Sequence, residues 1–311
     1  MSKPVIFLNS HPIQYFAPLY RQMHTEMRSP LTVWYCSDES IQGKMDKGFG
    51  KEVKWDIPLL DGYRHVFLRN RSWKPSIHNG FWGIFNPSVI SMLYKQEKSV
   101  LVVHGWAYAT HVLAIVFGRI FGHTVCLRSE TPLNQERMKN KTVTFIKHLY
   151  LKLLFLFVNK FLYIGKQNHL FYRSLGVKER LLVSVPYAVD NRRFRELCKA
   201  TGREEARKML GLPPGKKIIL YSGKYIDKKR PLDLLKAFAA IDNNEHALLV
   251  MVGEGACRTD MERFIKDNRL QEKVVLTGFI NQSRIPLFYR SADVFVMCSG
   301  LGETWGLSVN E

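Results

Sequence analysis

Short apolar runs of strand length alternate with helix-length amphipathic stretches along almost the whole chain. That alternation constrains the fold more than any other feature. A parallel neighbour needs a crossover long enough to hold a helix, so strands that alternate with helices build parallel sheets covered by helices. Strands are expected at residues 5–8, 31–36, 100–103, 124–128, 161–164 and 181–185, and helices near 18–26, 87–96, 109–121, 142–158 and 167–174. Residues 39–82, rich in Gly, Lys and aromatics, read as irregular. A second series places strands at 217–221, 247–252, 274–277 and 294–297, with helices near 203–210, 231–241, 258–268 and 285–291. The expectation is an α/β protein of two parallel-sheet domains facing a cleft that takes the ligand. The first domain spans 1–190, a linker region 191–212, and the second domain 213–311. The second reads as incomplete, with four strands visible where about six make a full unit.

Lys and Arg number 46 against 27 Asp and Glu, a formal excess of +19 over 311 residues. Such an excess implies anionic partners: phosphate-bearing substrates, acidic lipid surfaces or nucleic acid. No RNP, KH or zinc-finger pattern accompanies it, so no nucleic acid is expected. Five scattered cysteines without a Cys-x-x-Cys pair point away from a disulfide framework or zinc site and towards a reducing cytoplasm. The apolar part of the N-terminus is too short for a signal peptide and reads as a strand. Lys152, Asn159 and Lys160 interrupt the most hydrophobic stretch, 149–164, which falls short of the ~20 apolar residues a span needs. The mixed basic and apolar stretch 147–166 has two readings. One is peripheral docking on an anionic membrane surface. The other, preferred for its apolar positions, is a core helix with a solvated basic edge.

Chemistry-bearing residues gather at strand ends. Glu303 and Glu311 have seven residues between them. The strand 294–297 and the loop 299–302 place Glu303 at a strand's carboxyl end, and Glu311 follows about a turn into the helix that starts near Leu307. The helix N-terminus between the acids, at Gly306, Leu307 and Ser308, offers free amides to a phosphate. Since the chain stops at Glu311, that helix reads as cut after its first turn. Gly223 permits close backbone approach, and Lys224 and Lys229 can face one diphosphate from either side of their loop; a solvated basic turn is the alternative. Gly253, Glu254 and Gly255, then Gly278, Phe279 and Ile280, follow the next two strands; small residues there leave room for a base or ribose, and a plain turn is the alternative reading of the Gly-x-Gly. In the first half His11, Gln14, Tyr15 and Glu130 stand at strand ends as acceptor-side candidates, and His104 as a catalytic candidate that could donate to a sugar hydroxyl or the leaving phosphate, a structural histidine being the alternative. No Asp-x-Asp motif or metal-ligand cluster appears, so neither metal nor cofactor is expected.

This pattern resembles the retaining family-4 glycosyltransferases of the GT-B fold, built from two Rossmann-like domains. Gly223-Lys224 and Lys229-Arg230 stand where family members carry Gly-Arg-x-x-x-x-Lys-Gly. The stretch from Pro186 to Asp190 with Phe194, Val252 to Gly255, and Thr277 to Phe279 are similar to family motifs, and Glu303-x7-Glu311 is the most specific. The resemblance implies that Lys224 and Lys229 bind the donor diphosphate, that Glu303 faces the donor sugar, and that Glu311 holds the ribose hydroxyls. The run His11-Pro-Ile-Gln-Tyr15 resembles one subgroup and replaces the glycines of many relatives. A histidine that many relatives carry near Glu130 is absent. The implied reaction moves a sugar from a nucleotide-diphosphate sugar to an acceptor hydroxyl, with retention and without metal. The implied acceptor is a glycan or lipid-linked sugar in cell-surface polysaccharide or glycolipid synthesis. A non-catalytic nucleotide-sugar-binding fragment is the alternative, and a nucleic-acid-binding protein, suggested by charge alone, a more remote one.

Overall fold

The computed structural model describes residues 3–43, 45–46, 50–241, 244–301 and 303–311 and divides into two compact units. Gly302 of the expected strand-end loop lies outside the described residues.

The first unit comprises Met1–Gln42 and Pro58–Ala188. Its elements are β1 (Val5–Asn9), α1 (Phe16–Glu26), β2 (Leu31–Tyr35), β3 (Arg64–Phe67), α2 (Ser88–Lys95), β4 (Val100–His104), α3 (Ala109–Ile120), β5 (Thr124–Arg128), α4 (Leu133–Glu136), α5 (Lys141–Phe155), β6 (Lys160–Tyr163), α6 (Lys166–Ser174) and β7 (Leu182–Ser184). The seven strands form one parallel sheet in the order β3-β2-β1-β4-β5-β6-β7. The order turns back between β1 and β4, and ligands bind beyond the strand ends at such a switch point. Leu8 pairs with Val103 and His104 with Arg128, so the carboxyl ends of β1, β4 and β5 are level.

The central strands are apolar almost throughout because both sheet faces are covered. Ile6, Leu8, Leu101, Val103, Val125 and Leu127 pack with the inner faces of α2, α3, α5 and α6. On the opposite face Phe7 meets Tyr20 of α1, ring centroids 4.8 Å apart. At Gly118 of α3 an added Cβ would stand 2.7 Å from Leu101, so the helix seats directly on β4. The edge strand β3 falls in the stretch expected to be irregular. Arg64 and Val66 face solvent along it, and a half-exposed edge strand lacks the apolar run that marks a central one.

Helix α5 corrects the reading of its apolar positions as core. Leu151, Leu154 and Phe155 do face the core. Phe145, Ile146, Leu149, Leu153 and Leu156 recur at helical spacing on the other side, and each is more than half exposed. Among the described residues no helix is long and apolar enough to cross a membrane.

The second unit comprises Gly43–Ile57 and Val189–Glu311. It contains α7 (Asn191–Leu197), α8 (Arg203–Met209), β8 (Lys217–Ser222), α9 (Pro231–Ala239), β9 (Ala247–Val252), α10 (Arg258–Asp267), β10 (Val274–Gly278), α11 (Ile285–Ser291), β11 (Val294–Phe295) and α12 (Leu307–Asn310). Its four parallel strands run β10-β9-β8-β11, which places a switch point between β8 and β11. The stretch 191–212, expected as a linker, folds into this unit. Asp190 caps α7 by accepting from the Arg193 amide at 3.0 Å, and Phe194 is buried with Ile218 and Leu220. Arg207 of α8 is buried and pairs with Asp293 at 2.6 Å. Residues 43–57 also belong here rather than with the first 190 residues. The Asn281 side chain donates to the Lys54 carbonyl at 2.7 Å, the Ser283 amide donates to Asp56 at 3.1 Å, and the Trp55 ring lies 5.9 Å from Phe279.

Candidate functional site

In the second unit the strand ends are stitched together by backbone. The Gly223 amide donates to the Val252 carbonyl and the Gly253 amide to the Gly278 carbonyl, both at 3.0 Å. The Tyr225 amide donates to the Glu254 carbonyl at 2.8 Å. The small residues here serve this packing. A Cβ on Gly253 would meet the Gly223 oxygen at 1.9 Å, and one on Gly255 would meet the Tyr225 oxygen at 2.5 Å. The space expected for a base or ribose directly beside these two glycines is therefore filled by the 223–225 backbone.

Beyond Gly223, residues Asp227–Lys229 make a 3-10 turn, Arg230 takes a left-handed conformation (φ 49°), and Pro231 opens α9. This turn aims Lys229 at the switch point, where its ammonium donates to the Glu303 carboxylate. Both side chains are mostly buried, at 23% and 22% exposure. Burial pushes the Glu303 carboxyl up, and the hydrogen bond and charge of Lys229 outweigh it, leaving the group below the usual carboxylate range. The loop after β11 is laced to the same turn. The Gly300 amide donates to the Lys228 carbonyl at 2.9 Å, and the Cys298 thiol lies 3.3 and 3.2 Å from the carbonyls of Lys229 and Arg230.

The remaining donor-side candidates have these places. Lys224 is half-buried on the loop after β8, and its carbonyl accepts from the Tyr221 hydroxyl at 3.1 Å. Glu254 pairs with Arg258. Gly278 has φ 75° with the Glu254 carboxylate close to where a Cβ would be, and Ile280 packs on the sheet core. Gly306 starts α12 at φ 73°, where a side chain would meet Met297. The Tyr289 hydroxyl reaches the Ser308 carbonyl at 2.8 Å and the Glu311 carboxylate at 3.1 Å, and the Glu311 amide donates to the Leu307 carbonyl at 3.1 Å. Glu303 and Glu311 are thus fixed by different partners, Lys229 for the first and Tyr289 for the second.

In the first unit a cavity of about 390 Å³ opens at the switch point, lined by Asn9, His104, Arg128, Ser129, Glu130 and Glu136 among others. His104 is held edge-on against Phe16, with ring centroids 4.8 Å apart, and its Nε2 is buried without a hydrogen-bond partner among the described residues. Burial, then the charges of Arg128 and His111, hold its pKa well below the ordinary histidine value, so the ring is neutral. Glu130 is half exposed and lies 3.6 Å from the Arg128 guanidinium. Of the His-Pro-Ile-Gln-Tyr run, Ile13 lines the cavity, together with the neighbouring Ser10 and Phe16. His11 bonds Ser10 at 2.9 Å through Nδ1, and Tyr15 immediately precedes α1 without a side-chain cap to it; neither residue, nor Gln14, forms part of the cavity wall. Among the wall residues that escaped the sequence reading are Arg128 and Glu136. Arg128 had a signal, as the charged last residue of an otherwise apolar strand. Glu136 had none, because its burial depends on Lys139 and on Lys147, the latter one helix away at 2.8 Å.

The comparisons with known proteins fall on this frame. Residues 202–311 match the family model of the group 1 glycosyl transferases. The chain is 30% identical over 129 residues to an alpha-monoglucosyldiacylglycerol synthase of Streptococcus pneumoniae, and 32% identical over 138 residues to a 2-deoxystreptamine glucosyltransferase of Streptomyces kanamyceticus. These stretches are 41% and 44% of this chain, and span only 29% and 35% of the two relatives. Among solved structures, HepE of Anabaena in complex with UDP and glucose aligns with a TM-score of 0.65 at 12% identity, covering 96% of this chain and 74% of that one. Sucrose-phosphate synthase of Thermosynechococcus elongatus aligns with a TM-score of 0.66 at 15% identity, covering 98% and 77%. The fold is GT-B, with two Rossmann-like parallel sheets.

Proposed function

We propose that this chain transfers a sugar from a nucleotide-diphosphate sugar to an acceptor hydroxyl, with retention of anomeric configuration and without a metal. The observation that carries this reading is the Lys229–Glu303 pair at the switch point of the second sheet. A buried lysine whose counterion is a neighbouring acid can exchange that acid for a diphosphate. Lys229 then neutralises the leaving group, and the released Glu303 accepts hydroxyls of the donor sugar. Lys224 supplies a second cation from the same loop. As the glycosidic bond breaks, negative charge grows on the diphosphate and positive charge on the sugar ring; preorganised cations favour that separation. The departing phosphate takes the acceptor proton, so the reaction needs no separate base. Glu311, held by Tyr289, is assigned to the ribose hydroxyls. In the first unit, His104 and Glu130 contact sugar hydroxyls from the cavity, and His11, Gln14 and Tyr15 belong to the acceptor side. The likeness to a solved complex with UDP and glucose supports a nucleotide sugar as donor.

The proposed acceptor is a glycan or a lipid-linked sugar met at an anionic membrane surface, on its cytoplasmic side. The outward apolar face of α5, the excess of 19 positive charges and the relative named for a glycolipid product support this placement. Titration of the full chain with UDP, GDP and ADP, followed by a transfer assay, tests the reading. Lys229→Ala is expected to weaken diphosphate binding and to lower transfer by about 10²–10³-fold. Equal diphosphate affinity in wild type and variant would remove the basis of the assignment. Binding without turnover would identify a nucleotide-sugar-binding protein instead.

A further inference from the structure

Arg128 ends β5 inside the cavity of the first unit and is 6% exposed. Its guanidinium lies 4.9 Å from the Phe16 ring centroid and 4.3 Å from that of Tyr187, and these faces position it without accepting its N–H groups. Its nearest carboxylate, Glu130, is 3.6 Å away and 46% exposed on its side chain. Among the described residues the guanidinium donates no side-chain hydrogen bond. A guanidinium presents five donors in a fixed fork, which a planar oxyanion can take up two at a time. Glu136, the buried acid of the wall, is already held by Lys139 and Lys147 and does not compete for Arg128. Arg128 is therefore the charged wall group held only by a long ion pair, to the half-exposed Glu130.

We propose that this cavity binds an oxyanion, the carboxylate of an acidic sugar or the phosphate of a sugar phosphate, through the Arg128 fork. Planar bidentate capture is what a guanidinium does better than an ammonium. Assigning the anion to the acceptor rests on the glycosyl-transfer reading; its capture by Arg128 does not. On that reading the acceptor is an anionic glycan.

The test titrates the full chain with glucuronate, glucose 6-phosphate and glucose, with no nucleotide present. At least one of the two anions is expected to bind about tenfold or more tightly than glucose, with affinity falling as salt rises. The tighter of the two identifies carboxylate or phosphate as the group held. Arg128→Gln is expected to abolish the preference and Arg128→Lys to restore only part of it. If Arg128→Gln does not fold, phenylglyoxal labelling of the wild type decides, with either anion protecting Arg128 and glucose leaving it reactive. Equal affinity for all three sugars, no binding of either anion, or protection of Arg128 by UDP alone would overturn the proposal. Failure of UDP to bind would count against the donor reading and leave this result standing.

Discussion

At Gly253 an added methyl group would stand 1.9 Å from the carbonyl oxygen of Gly223, in a backbone at φ 152°. Both obstacles are backbone, which cannot swing aside as a side chain can. Gly253→Ala is therefore expected to destabilise the protein by about 3 kcal/mol or more. Gly176 makes the control. It also has positive φ, 87°, but nothing stands within 4 Å of its added Cβ, so Gly176→Ala should cost only about 1 kcal/mol. Urea denaturation of both variants checks the pair, and equal losses would show that backbone strain rather than collision dominates at Gly253. The glycine signal was visible in the sequence, and its physical reason was not. A Gly-x-Gly after a strand suggests an open space, whereas here the next loop already occupies it. The cation at Lys229 was legible because a basic turn after a strand is a local pattern. Its partner, Glu303, lies 74 residues on, and only the fold brings the two together.

Among the elements, α5 carries the clearest disagreement between pattern and outcome. Apolar residues at helical spacing identify an amphipathic helix, but where two faces are apolar the pattern does not say which one meets the core. Leu151, Leu154 and Phe155 are inward, while Phe145, Leu149 and Leu153 are outward at 55–71% exposure. Replacing those three outward residues by Ser should leave the thermal midpoint nearly unchanged, because they make little use of burial. The same change should sharply reduce co-sedimentation with vesicles containing anionic lipid, since each large side chain contributes about 1.5–3 kcal/mol on transfer from water. Undiminished vesicle binding would move the docking surface elsewhere. The central strands were readable almost to the residue because burial on both faces leaves an uninterrupted apolar run. The edge strand β3 and the capped helix α7 were not, since a polar composition hides an element whose stability comes from its neighbours.

For the molecule as a whole, two buried imidazoles set the response to acid. His104 is held well below the ordinary value by burial and by the charges of Arg128 and His111, and burial brings His111 down to about 4. Both stay neutral in the folded protein, while in the unfolded chain they take up protons below the ordinary histidine value of about 6.5. The unfolded state then binds more protons, so stability falls as pH drops from 6.5 towards the folded values, by up to about 1.4 kcal/mol per pH unit for each ring. The depressed carboxyls Glu303 and Glu136 act later, since their contribution persists through neutral pH and is lost only as pH falls through their folded values. Urea midpoints at pH 7.5 and 5.5 should differ in wild type and differ less in His111→Leu; an unchanged difference in that variant would exclude its imidazole as a cause. The chain also passes between its two units three times, after Gln42, after Ile57 and after Ala188. Cutting the gene at a single point therefore cannot release either half whole. An isolated 189–311 fragment would lose Trp55 and the backbone that Asn281 holds, baring the Phe279 loop, and would need residues 43–57 supplied as a separate peptide to mend it.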